Sequence, residues 1–92
     1  MITVRSLPGR DGTGFEVTIQ EGDSATQHSV TLDAGTRQRL GAASPPEALV
    51  HAAFRFLLDR EPKESILRNF DLKIIGHYFP EFEQTVGRYL DS

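Results

Sequence analysis

The sequence of 92 residues contains no cysteine and no tryptophan, and it has a single methionine. The absence of cysteine excludes disulfide bonds, a thiol nucleophile and thiolate metal ligands. Long apolar runs are also absent. None approaches the roughly 20 residues of a membrane-spanning helix, and the N-terminus has no signal-peptide core. We therefore expect a protein of the cytoplasm.

The chain also lacks a strong charge of one sign. Its formal net charge is −3 at pH 7, and its pI is near 5.5. A slight excess of positive charge lies in residues 34–80, between two acidic ends. Nucleic-acid-binding proteins usually concentrate far more positive charge, so this distribution argues against that class. The length and the hydrophobic fraction of 38% indicate one globular domain over residues 1–92.

The N-terminal third contains an alternation of apolar and polar residues, which is typical of strands that bury one face. The apolar positions form three groups separated by turn-forming residues: Ile2 and Val4; Phe15, Val17 and Ile19; and His28, Val30 and Leu32. The short connections predict an antiparallel hairpin or three-stranded meander within residues 1–33. Its apolar face must be covered by the helices that follow.

Three glycines lie between the first two predicted strands, at Gly9, Gly12 and Gly14. Glycine-rich loops that hold phosphate normally open a helix, whose first amides complete the site. Here a strand follows, and Lys and Ser/Thr are not placed as in a P-loop. We therefore interpret the cluster as a hairpin loop rather than a phosphate site.

Residues 34–92 are predicted to be helical, and the clearest helix start lies at residues 44–47. These read Ser-Pro-Pro-Glu, which matches a capping box with Ser44 as the N-cap and Glu47 at N3. A helix is therefore expected over residues 45–59.

Apolar residues cover most of the circumference of this predicted helix. The polar remainder is a narrow strip of His51, Arg55 and Asp59, which are spaced by one helical turn. We regard this strip as a tentative interaction surface. The wide apolar surface leaves two interpretations open, since it must be covered by something. Either the helix is central, between the sheet and the later helices, or part of it forms a homodimer interface.

Four shorter helices are predicted around the central one. Asp33 caps the first, which runs through Leu40 and is stopped by Gly41. Lys63–Phe70 forms the second, with Ile66, Leu67 and Phe70 inward. Asp71 caps the third, which carries Leu72, Ile74, Ile75 and Tyr78; Pro80 starts the last, with Phe82, Val86, Tyr89 and Leu90 on one face.

The two helices within residues 63–78 could form a helix-turn-helix. In that alternative the protein is a nucleic-acid-binding regulator that uses Arg68, Lys73 and His77. Specific reading of bases prefers Arg, Asn or Gln on the recognition helix, and this face has none. Ordinary helix packing is therefore the favoured interpretation.

The sequence assembles no catalytic group. His28, His51 and His77 lie on three different predicted elements without metal-ligand spacing. No nucleophile motif is present, and the carboxylates are scattered. We therefore predict that the protein is not an enzyme and has no catalytic, cofactor-binding or metal-binding residues.

Four stretches read SPPEALV at 44–50, FRFLLDREPKESIL at 54–67, FDL at 70–72 and YFPEF at 78–82. Together they resemble a family of small uncharacterised bacterial proteins. The resemblance covers about residues 44–82 and implies a stand-alone protein of a bacterial cytosol. Because the family has no assigned activity, the resemblance transfers no catalytic residues.

These observations predict an α+β domain, in which an N-terminal antiparallel meander packs on a central helix that is followed by short helices. The expected function is a small non-enzymatic interaction or regulatory module. Its expected partner is another protein or a second copy of itself, and nucleic-acid binding through residues 63–78 is the alternative.

Overall fold

The computed structural model describes residues 1–7, 14–41 and 43–90. Within them the chain forms the predicted α+β domain, with a four-stranded sheet and four helices. The strands are β1 (Ile2–Ser6), β2 (Gly14–Glu21), β3 (Ser24–Thr31) and β4 (Asn69–Asp71). The helices are α1 (Ala34–Gly41), α2 (Pro46–Leu58), α3 (Ile75–Tyr78) and α4 (Phe82–Leu90). Single 3-10 turns occupy Lys63–Ser65 and Leu72–Ile74. The predicted glycine-rich loop falls largely on 8–13, outside the described residues.

The first three strands form the antiparallel meander that the alternation predicts. Val17 of β2 lies between Val4 of β1 and His28 of β3 in the pairing register. The β2–β3 connection is a two-residue turn that begins at Gly22, where φ is +59°. This left-handed φ favours glycine. Residues 24–26 directly after the turn already pair with β2.

β4 is the main departure from the predicted elements, because the helix predicted over Lys63–Phe70 is wrong. β4 pairs in parallel with β3 and places Phe70 opposite Val30. Just before β4, the Ser29 amide donates to the Arg68 carbonyl oxygen at 2.7 Å. This pairing requires an extended chain. Strand structure therefore occurs also in the C-terminal part, which the pattern predicts to be wholly helical.

His28 anchors the chain that leads into β4. Its side chain is buried, and Nδ1 donates to the Leu67 carbonyl oxygen at 2.7 Å. A carbonyl oxygen can only accept, so Nδ1 carries the hydrogen, and Nε2 pairs with the Thr26 hydroxyl at 2.9 Å. Burial lowers the pKa of His28, against the opposing effect of the Leu67 carbonyl and with a smaller contribution from Arg68.

α2 is the central helix of the domain, as its wide apolar surface predicts. It packs against both β1 and α4. Its buried side chains are Leu49, Val50, Ala52, Ala53, Phe54, Phe56 and Leu57. Because a single chain covers this surface, the homodimer interpretation loses the apolar face on which it depended.

The start of α2 differs from the predicted capping box. The helix begins at Pro46, and its N-cap is Pro45, whose ψ of 147° is extended. A residue that precedes proline is driven out of the helical region, so Pro45 cannot be the first helical residue. The Pro45 carbonyl closes the first turn by accepting from the amides of Ala48 and Leu49. The prediction of Ser44 as the N-cap is therefore wrong by one residue.

Two other predicted caps are confirmed. Asp33 Oδ1 accepts from the Thr36 amide at 2.7 Å at the start of α1. This bond is also the main reason why the pKa of Asp33 is lowered. Asp71 Oδ1 accepts from the Lys73 amide at 3.0 Å at the next helical turn. In both places a carboxylate satisfies an amide that the first turn leaves unpaired.

Candidate interaction groove

The predicted strip of His51, Arg55 and Asp59 is not a free surface as a whole, because α4 contacts both Arg55 and Asp59. Arg55 Nη1 donates to the Tyr89 carbonyl oxygen at 3.1 Å, and its guanidinium lies 5.6 Å from the centre of the Tyr89 ring. The Tyr89 hydroxyl donates to Asp59 Oδ2. His51 is half-buried, and burial, then Arg55, lowers its pKa. These contacts join two helices of the same chain.

Arg60 extends this α2–α4 contact. Its guanidinium lies 3.6 Å from the centre of the Phe56 ring, and Nε is 3.2 Å from Glu81 Oε2. A main-chain hydrogen bond and Arg60 hold the pKa of the Glu81 carboxyl below its ordinary value. Phe56 is itself buried and packs edge-to-face against Phe82, with ring centres 5.0 Å apart. On this side of α2, therefore, the aromatic ring of Phe56 is buried and Arg60 has a partner within the chain.

The residues of the nucleic-acid alternative do not lie on a helix pair. Arg68 is in the bend just before β4, Lys73 is in a 3-10 turn, and His77 is in α3, which has four residues. Lys73 Nζ lies 3.9 Å from Asp33 Oδ2, and the His77 ring packs against Tyr78. A helix-turn-helix needs two helices with a recognition helix that enters the groove. Among the described residues, neither half of the predicted pair provides this.

A groove of about 380 Å³ opens between the end of α2 and the segment 65–79. Three of its apolar side chains are exposed: Leu67 by 48%, Ile74 by 36% and Tyr78 by 62%. The groove is lined by Leu57, Glu61, Ser65, Ile66, Leu67, Phe70, Ile74, Ile75, Tyr78 and Phe79. Large apolar side chains grouped around a concave surface are typical of a binding site.

Glu61 is the charged member of the groove. It is half-buried, and burial raises the pKa of its carboxyl above the ordinary value of 4.5. Within the described part of the chain, its carboxylate has no hydrogen bond or ion pair. The neighbouring cations are engaged elsewhere: Arg60 with Glu81, and Lys63 with Glu64 at 2.8 Å and Glu21 at 3.3 Å.

The sequence pattern predicts neither the groove nor a functional role for Glu61. Leu67 was expected to face inward from a helix, but the chain there is extended. Neighbouring side chains of an extended chain point to opposite sides, so Ile66 is buried and Leu67 is exposed. Two adjacent apolar residues in an extended chain cannot both face the core. Ile66 and Leu67 would therefore have indicated one exposed apolar side chain if the segment had been predicted as extended.

The described residues offer no assembled metal site, since no three or more His, Cys, Asp or Glu side chains are grouped to hold an ion. Among the same residues, no helix is both long and apolar enough to cross a membrane. Comparison with family models, with curated proteins and with solved structures finds no match. The resemblance to a small bacterial family therefore stays a prediction.

Proposed function

We propose that this protein is an interaction module that binds a short apolar segment of another protein in the groove beside α2. The observation that carries the proposal is the group of exposed apolar side chains, Leu67, Ile74 and Tyr78, around a concave surface. Exposed apolar side chains that share a groove gain free energy when a partner covers them. The bacterial cytosol implied by the resemblance is the setting that we propose for it.

The lining of the groove favours a segment of protein over a small metabolite. Small-molecule sites usually enclose most of the surface of their ligand. Here three of the lining side chains, Leu67, Ile74 and Tyr78, stay exposed, so the groove is open rather than enclosing. Such a surface suits one or two bulky apolar side chains of a partner, as in peptide-binding grooves.

Selection from a display library of short random peptides on the immobilised full-length protein tests the proposal. The library is also selected on Leu67→Glu, which places a charge in the groove. A matched control is Gln84→Glu, which adds the same charge at an exposed position of α4. Amide chemical shifts of the wild-type protein then locate the site of the enriched peptides.

We expect peptides rich in large apolar residues. They should shift the amides around Leu67, Ile74 and Tyr78, bind Gln84→Glu normally, and lose binding to Leu67→Glu. The proposal is contradicted if no peptide is enriched, or if the enriched peptides bind Leu67→Glu as well as wild type. It is also contradicted if the shifted amides lie away from the groove.

A further inference from the structure

The position of Glu61 in the groove is set by the end of α2. Its amide donates to the Leu57 carbonyl oxygen at 2.9 Å, and Pro62 follows directly. Leu57 lines the same groove and is itself buried. The helical turn and the proline restrict the backbone at this point, so the Glu61 side chain starts from a fixed position beside the apolar lining.

The charged residues described around Glu61 leave its carboxylate without a cation as partner. Arg60 stacks on Phe56 and pairs with Glu81, on the α4 side of the helix. Lys63 is buried, and its ammonium group contacts Glu64 and Glu21 instead. The two cations nearest to Glu61 in the sequence therefore both have other carboxylates as partners.

A carboxylate that is partly removed from water and has no cation beside it is unfavourable for the free protein. A site with such a group is complementary to a positive charge, and groups with perturbed protonation cluster at functional sites. We propose that the groove selects a partner segment that places a lysine or arginine on Glu61, next to the bulky apolar residues that fill the groove. This inference rests on the proposed function, and it assigns Glu61 as the residue that determines specificity.

The chemistry of the site also says which segments are rejected. An acidic residue beside the apolar anchors would bring two negative charges together in a partly dehydrated place. Like charges opposed across an interface are costly and suppress wrong partners. A wholly apolar segment fills the groove but leaves Glu61 covered and unpaired. The best segment therefore combines apolar anchors with one basic residue.

Parallel selections from the same random-peptide library test this inference. The targets are the full-length wild-type protein, Glu61→Gln, Glu61→Lys and Glu47→Gln. Gln keeps the size and the hydrogen-bonding capacity of Glu61 but removes its charge. Glu47 is an exposed residue in the first turn of α2 and is not part of the groove. Glu47→Gln therefore controls for the change in net charge alone.

On wild type and on Glu47→Gln, we expect the enriched peptides to carry a lysine or arginine at a constant distance from their apolar residues. On Glu61→Gln the apolar residues should stay and the basic residue should lose its enrichment. On Glu61→Lys an acidic residue should take its place. A basic peptide selected on wild type should bind Glu61→Gln about tenfold or more weakly, as for loss of a hydrogen-bonded charge pair.

The inference and the proposed function fail in different ways. Peptides that bind the groove without a basic residue, or a basic residue whose enrichment survives Glu61→Gln, would overturn the role of Glu61 and leave the groove as an apolar binding site. If no enriched peptide binds the groove, both ideas are wrong. An equal loss of basic enrichment on Glu47→Gln would show that only the overall charge matters and would also overturn the assignment.

Discussion

The two sides of α2 near its C-terminal end differ in how their surfaces are covered. On the α4 side, Phe56 is buried under aromatic rings, and the Tyr89 hydroxyl and Arg60 meet the carboxylates of Asp59 and Glu81. On the groove side, apolar side chains stay exposed and Glu61 has no partner among the described residues. Asp59 and Arg60 thus have partners in α4 or just before it, whereas the next residue, Glu61, has no partner among the described residues.

The difference indicates which surface serves the fold and which is available for binding. Groups that stabilise the folded chain find partners within it, because an unsatisfied buried group costs free energy. A surface that keeps apolar and charged groups without partners is less stable than the same chain could make it. This is expected where the partner is another molecule, and it is the basis of our proposals.

The largest expected effect comes from truncating the aromatic core on the α4 side. Phe56→Ala should lower the free energy of unfolding by about 3–5 kcal/mol, a large part of a typical total of about 5–15 kcal/mol. The matched change on the groove side, Tyr78→Ala, should stay within about 0.5 kcal/mol because Tyr78 is largely exposed. Urea unfolding of both variants measures the difference. Similar losses for the two would show that the groove side is as well packed as the α4 side.

His28 connects the sheet to the groove through the Leu67 carbonyl. His28→Asn keeps a donor near that oxygen but leaves Thr26 without its ring partner, so we expect a loss of about 1–3 kcal/mol at neutral pH. The folded pKa of His28 is lowered from its ordinary 6.5, so the unfolded chain binds the proton more readily. Wild-type stability should therefore fall as the pH drops below 6.5 towards the folded pKa.

Urea unfolding of wild type and His28→Asn at a series of pH values from 7 downward tests this linkage. The free energy of unfolding should fall less steeply with decreasing pH in the variant than in wild type. His51 contributes in the same direction, because its pKa is also lowered by burial. His51→Asn should therefore remove a separate part of the slope. An unchanged slope in His28→Asn would mean that the buried ring is not the source of the pH dependence.

The hydroxyl groups of the two tyrosines provide a closer comparison of the sides. Tyr89→Phe removes a donor to Asp59 and should cost about 0.5–1.5 kcal/mol. Tyr78→Phe removes a hydroxyl that makes no hydrogen bond to the described residues, and it should leave the stability unchanged. Thermal unfolding of the two single variants measures this difference. Equal midpoints would contradict the view that the Asp59–Tyr89 contact closes the α4 side.

The smallest expected effect has the opposite sign. Because burial raises the folded pKa of Glu61, ionising it opposes folding, so its cost appears as the pH rises through that pKa. Glu61→Gln should therefore be slightly more stable than wild type at neutral pH. The gain should disappear below pH 4.5, the ordinary pKa of the group, where the glutamate is protonated in both states. A destabilised Glu61→Gln at neutral pH would indicate that the carboxylate has a stabilising role.

Much of the fold could be predicted from local patterns. The period of two over residues 1–33 predicted the meander, and the apolar circumference of residues 45–59 predicted a central helix. The start of α2 was missed by one residue, although the sequence contained the reason: Pro45 is itself followed by a proline. The helix predicted over Lys63–Phe70 is wrong because the apolar spacing of this segment suits a helix as well as a short strand.

The sequence by itself determined the elements whose stability is local or face-specific. These are the three antiparallel strands, the carboxylate caps at Asp33 and Asp71, and the helix with apolar residues on most sides. Only the tertiary structure decided the pairing of β4 with β3, the outward turn of Leu67 and the position of Glu61 in a groove. The physical reason is distance along the chain. The bonds from His28 to Leu67 and from Ser29 to Arg68 join parts of the sequence that share no local pattern.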